Sequence, residues 1–337
     1  MSEVYIAADN KAQKIKKKKT SYFRDNYGLY LMLLPAATVY IIFRYVPMYG
    51  ILMAFQNYNL FAGVFHSEWV GLDVFKEVMS QRTFWQVFLN TLRLNLLSLI
   101  VGFPMPVLFA LLLNEISRRR FKKIVQTISY MPHFISWVIV YGMLVMFVSK
   151  DTGLFNVILK EVGLKQINFL FGHGWWYTFY LGLGIWKGMG FDSIMYLSAL
   201  SAINTELYEA AEIDGASRLR KTWHVTLPGI RSTIVILLIL KIGNITTIGF
   251  DQPYLMGNPM VTDIADVLST YIYRNGIEHA QFSFTTAVGL FQSVINFILL
   301  LITDKVARRF GESGCQYWWS TFAEVFKQGS NDQVLKG

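Results

Sequence analysis

The sequence predicts an all-α membrane protein of six transmembrane helices, with both termini on the cytoplasmic side. Three observations predict it. Apolar stretches lie at about 28–50, 86–113, 131–149, 175–200, 232–250 and 282–303. Each is near the roughly 20 helical residues that cross a hydrocarbon layer of about 30 Å. The chain is 53% hydrophobic and only 16% charged, where a soluble domain is nearer about a quarter charged, so the excess apolar surface must face lipid. With the N-terminus inside, inner segments hold 21 of the 31 Lys and Arg and outer segments seven, which is the bias that orients membrane proteins.

Residues 1–27, with the run Lys16–Lys19, read as an uncleaved cytoplasmic basic tail. The apolar segment after it is long, and no small-residue cleavage site closes it. Its lysines suit anionic headgroups, which makes membrane lipid a partner. The first span holds Pro35 and reaches Arg44, which can snorkel to the outer boundary. VPMYGILMAFQNYN then opens an outer segment running to about Trp85. The fourth span opens on Trp175-Trp176-Tyr177, an interfacial anchor. The six spans and their loops make one domain over 28–310. Residues 311–337 form a cytoplasmic tail whose Tyr317, Trp318, Trp319, Phe322 and Phe326 suit either a surface-lying amphipathic helix or an unordered end.

The same composition excludes several classes. A net charge of +9 serves nucleic-acid binding only on a soluble module with a basic face, and here the bases lie in loops between apolar runs. Cys315 is the single cysteine, so neither a disulfide framework nor a cysteine metal cluster is available. No phosphate-cradling G-x-x-x-x-G-K-[ST] occurs, so this chain does not hydrolyse nucleotide by that route. No metal site or catalytic constellation is expected.

Polar residues inside the spans are candidates for a translocation path. Lys241 falls about ten residues into the fifth span. A lysine near the midplane costs on the order of 2.5–3.5 kcal/mol on insertion scales, so it should face protein or water. Asn244 and Asp251 follow on the same stretch. The fourth span carries Trp186, Lys187 and Asp192 around Gly184-x-x-x-Gly188, a spacing that lets helices approach closely. Asp192 is too offset from Lys187 for a good same-face pair. Gln292 and Asn296 form a polar stripe that either lines a cavity or joins helices. Arg93 and Asn95 favour packing.

The most informative stretch is Asn204–Arg231, NTELYEAAEIDGASRLRKTWHVTLPGIR. Asn204 or Thr205 caps a helix whose first turn holds Glu206, matching the positive end of the helix dipole. Leu207, Ala210 and Ala211 give it a narrow face with little bulk. Gly215 stops that helix. A second helix carries Leu219 and Trp223 on one face, and Pro228 ends it. The product is an angled pair of short helices with a smooth surface.

Glu209-Ala210-Ala211, three residues, Gly215, nine residues, then Val225-Thr226-Leu227-Pro228 resembles the EAA loop of bacterial ABC-importer permeases. Val225 stands where that pattern has Ile. The flanks resemble the maltose-type carbohydrate-uptake permeases, especially those for complex oligosaccharides, and the likeness extends over about 28–310. It implies the type I ABC importer permease fold in a bacterial cytoplasmic membrane. It also implies a non-catalytic subunit that binds no cofactor itself, ATP and Mg residing on partner ATPases. The implied partners are a second permease, two ATPase subunits and an extracytoplasmic solute-binding protein. Glu209, Ala210, Ala211, Asp214, Gly215, Leu227 and Pro228 become the ATPase-coupling residues. Trp186 gains a possible role stacking on a sugar ring. Rival readings keep the machine with a non-sugar or anionic solute, or replace it with a self-sufficient secondary transporter or a membrane enzyme.

Overall fold

Away from water the backbone must satisfy its own hydrogen bonds, which favours helices. The structure, a computed structural model describing residues 27–309, is helical along most of that length. The basic tail before it and the segment beyond it, including Cys315 and the Tyr317–Phe326 aromatics, lie outside the described residues. The chain divides into two units between Leu52 and Met53.

The first unit opens with α1 (Tyr27–Tyr40), which keeps its path through Pro35 and buries none of its residues. A π-helical turn at Ile41–Tyr45 leads into a 3₁₀ stretch, Val46–Phe55. This helical path passes the expected end near 50 because the apolar run continues to Phe55.

The second unit takes up the last residues of that stretch from Met53, followed by β1 (Gln56–Asn57) and β2 (Glu68–Trp69), paired antiparallel with Gln56 opposite Trp69. This small ribbon departs from the all-α expectation. Gly63, at φ +72°, gives the connecting loop a left-handed residue that lets it double back. After α2 (Asp73–Ser80) comes one path of 33 residues, Arg82–Asn114. It comprises α3 (Arg82–Leu97), a π-helical turn at Ser98–Gly102 and α4 (Pro104–Asn114).

The third expected span is not one helix. α5 (Arg119–Tyr130) runs into a 3₁₀ turn at Met131–Phe134, and α6 (Trp137–Val148) leaves it at 99°. Ile135 is extended, and the Ser136 hydroxyl accepts from the Ile139 amide at 3.4 Å, starting a new helix. α7 (Leu154–Glu161) precedes α8 (His173–Ser201), which matches the fourth span. The elbow follows as α9 (Thr205–Ile213), α10 (Arg218–Lys221), a π-helical turn at Thr222–Thr226 and α11 (Leu227–Gly229).

α12 (Arg231–Gly243) also stops before its expected end at 250. Asn244–Gly249 is a turn and irregular backbone, held by α16 (Phe282–Arg309). Gln292 donates to the Thr246 carbonyl at 2.5 Å, and Asn296 accepts from the Thr246 amide at 3.3 Å. Irregular backbone at membrane depth survives only where such partners or water satisfy it. Between these lie α13 (Asp251–Met256), α14 (Thr262–Ala265) and α15 (Leu268–Tyr273).

Among the described residues, Tyr27–Phe55, Arg82–Asn114 and Phe282–Val306 are long and apolar enough to cross a membrane. The number is five if each bent pair, at 99° and 60°, counts as one span. α8 has the length but not the apolarity: it carries Lys187 and Asp192 and buries Trp176, Tyr180, Ser193 and Tyr196. Near its start, Trp176 and Tyr180 pack with Leu94, Leu144 and Met256. Near its end, Tyr196 and Leu200 pack with Val107, Ala110 and Ile230. The second cluster positions the elbow.

Candidate functional site

The elbow is built largely from local signals. The Asn204 side chain accepts from the Glu206 amide at 3.1 Å and closes the start of α9. At its end the Ala216 amide reaches the Ala211 carbonyl at 2.9 Å and the Gly215 amide the Glu212 carbonyl at 3.0 Å. That pair of bonds is a Schellman cap, with Gly215 at φ +71° supplying the left-handed residue it requires. Ser217 caps α10. Lys221 donates to Glu212 at 2.6 Å, bridging the two arms. That hydrogen bond and charge hold the Glu212 carboxyl below its ordinary range.

Within the elbow, Tyr208 on the first arm also donates to the buried Thr226 hydroxyl on the second at 3.0 Å, and Ile230 ties the elbow to the bundle. Ile230, 0% exposed, sits in the cluster with Val107, Ala110, Tyr196 and Leu200. Pro228 does not end the helical path. It occupies the first turn of α11, where a missing N–H is harmless, and the break falls at Ile230. On the outer face Glu209, Ala210, Asp214, Gly215 and Pro228 are exposed, while Ala211 and Leu227 are half-buried. Leu219 and Trp223 are exposed too, as is Ile213 at 88%. Ile213 was not singled out from the sequence, where one isoleucine in a last helical turn carries no signal. Ile213, Leu219 and Trp223 are thus apolar side chains left uncovered on an otherwise polar, capped elbow.

The second site is a cavity of about 560 Å³. It is enclosed by the α3–α4 junction, the start of α6, the middle of α8, α12 and the stretch around 247–252. Of the eight path candidates, Asp192, Lys241 and Asp251 line it. Lys241 lies in the last turn of α12, not midway along a longer helix. Asn244 faces an adjoining recess of about 90 Å³ that Lys241 shares. Asp251 opens a separate short helix, α13. Trp186 and Lys187 do not line the cavity, and Gln292 and Asn296 are engaged with 246–247. Sequence reasoning missed Trp137, Phe250 and Gln252 on the wall, because each comes from a loop or helix end brought in by tertiary packing. Carboxylates, an ammonium, amides and aromatic faces together suit a ligand rich in hydroxyl groups.

Of the two glycines predicted to pack, Gly184 and Gly188 instead face the cavity. The close approach is at Gly190, where a Cβ would collide with the Ser129 carbonyl.

A helical bundle with this elbow on one end defines the membrane component of a transporter. The chain belongs to the family of binding-protein-dependent transport system inner membrane components, whose pattern matches residues 102–312. It is an ABC-importer permease. It is 44% identical over 304 residues to the polygalacturonan/rhamnogalacturonan transport system permease protein YteP of Bacillus subtilis, covering 90% of this chain and 94% of that one. It is 43% identical over 291 residues to protein LplB of the same organism, covering 86% and 91%. A chain in the crystal structure of a bacterial alginate ABC transporter, in complex with an alginate pentasaccharide-bound periplasmic protein, superposes with a TM-score of 0.79 at 41% identity. That match covers 87% of this chain and 98% of the other. The fold is therefore that of these permeases, and the resemblance read from the elbow motif stands.

Proposed function

We propose that this chain forms part of the translocation path of an ATP-driven importer for oligosaccharides, driven through the elbow at 204–231. The observation that carries the reading is the elbow's two-sidedness: an exposed docking face joined rigidly, through buried Ile230, to the helices around the cavity. The names of the relatives support a saccharide cargo, since one transports polygalacturonan and rhamnogalacturonan and another serves alginate. Six spans with both termini cytoplasmic remain the reading, supported by the charge distribution and by helical segments at the six expected positions. On this reading 1–27 and 311–337 are cytoplasmic tails flanking the permease domain.

The remaining machine comprises a second permease, two ATPase subunits that hold ATP and Mg, and an extracytoplasmic solute-binding protein, in a bacterial cytoplasmic membrane. Closure of the ATPases draws the elbows together and rocks the bundles as rigid bodies. Asp192, Lys241 and Asp251 offer hydrogen bonds to passing hydroxyls. An anionic solute is the second reading, favoured by Lys241 in the cavity wall. The test is reconstitution with the neighbouring subunits and measurement of cargo-stimulated ATPase against oligogalacturonides, neutral oligosaccharides and non-sugar solutes. Stimulation by saccharides alone supports the proposal, and stimulation only by non-sugars refutes it.

A further inference from the structure

Lys187 is a charged residue in the middle of α8 that does not line the cavity. Its ammonium donates to three backbone carbonyls, those of Pro132 at 3.3 Å, His133 at 2.5 Å and Ile135 at 2.5 Å. These carbonyls cluster at the break between α5 and α6, where helix ends leave acceptors without intrahelical partners. An ammonium has three donors and no acceptor, so this arrangement uses its full capacity. The neighbouring residues of α8 complete the grip. Phe191, one turn on, stacks on His133 at 3.9 Å between ring centroids. Gly190, between them, admits the Ser129 backbone. Lys187, Gly190 and Phe191 fall at i, i+3 and i+4, so a single face of α8 holds the break. The same ammonium lies 5.7 Å from the centre of the Trp137 ring, and Trp137 both opens α6 and lines the cavity.

We propose that Lys187 is a positioning residue. By fastening the 99° break it fixes Trp137 in the cavity wall, and so sets the shape of the path without touching cargo. That role rests on the cavity being the path, but the fastening itself does not. Without the ammonium, the part-buried His133 and Ile135 carbonyls lose this partner, while Pro132 keeps the Ile135 amide, and acceptors left unmade away from water are unfavourable.

The test uses the assembled transporter in lipid nanodiscs. Lys187→Met is expected to speed amide exchange across 131–140 at least fivefold, with 205–213 unchanged. In a Cys315→Ser background, the reactivity of Gly184→Cys in the cavity toward a charged thiol reagent should change at least threefold. Lys187→Gln, which keeps two neutral donors, should fall between Met and wild type in both readouts. It stands in if the Met variant fails to assemble. Wild-type exchange at 131–140 in either variant overturns the proposal, as does a uniform loss of protection over the whole chain. Altered exchange with unchanged Gly184→Cys reactivity overturns the link to the cavity. Neither readout requires the cargo, so failure of the saccharide reading is seen separately, in the ATPase assay.

Discussion

At the scale of single residues, the proposed function gives Glu209 and Lys241 separate tasks. Glu209 is exposed on α9, and in that scheme it makes a charge-assisted bond to a basic group on an ATPase. Glu209→Lys should lower ATP-coupled uptake at least tenfold while the chain inserts normally; unimpaired uptake would refute the docking role. Lys241→Met should shift the KM for cargo at unchanged amounts of assembled complex. A drop in assembly alone would assign Lys241 to packing. Glu212 gives a pH prediction whose sign is set by Lys221, which lowers its carboxyl pKa in the folded elbow. The stabilisation it supplies is complete above the ordinary carboxylate range and is lost as pH falls through the lowered value. Exchange protection of 205–226, corrected for intrinsic rates, should therefore hold from neutrality down to that range and decline below it. Glu212→Gln should abolish the decline.

At the scale of elements, what was legible in the sequence depended on how local its cause was. The cap at Asn204 and the stop at Gly215 use groups within a few residues, so the elbow could be drawn from sequence alone. The long helices around 86–113 and 282–303 were legible because lipid selects length and apolarity, and the one at 175–200 because its nearly uncharged run is long and opens on an aromatic anchor. The breaks were not. The ends of α5 and α12 are held by Lys187, Gln292 and Asn296 from other helices, and no periodicity within a segment reveals a partner 50 residues away. The cavity wall was hidden for the same reason. Where α12 begins, Ile230→Ala should cost about 2–5 kcal/mol as a buried large-to-small change. It should also lower the solute moved per ATP hydrolysed more than it lowers ATP hydrolysis, as read by measuring both on the same vesicles. Equal losses would place Ile230 in folding only.

At the scale of the whole molecule, the proposed scheme makes the permease a transmitter driven by separate ATPase subunits. Vesicles holding this chain without ATPase subunits should not concentrate solute, and accumulation there would refute the entire scheme. The helical path Arg82–Asn114 shows what transmission involves. Its 33 residues make a rod of about 50 Å in a slab of about 30 Å, so it must lean or protrude. A pivot of about five degrees at its middle swings each tip by about 2 Å at that length. The rod also has a joint, the π-helical turn Ser98–Gly102, and both Ser98 and Gly102 border the cavity. A lever hinged at the load can open the hollow with one arm while the other stays packed against Tyr196 and Ile230.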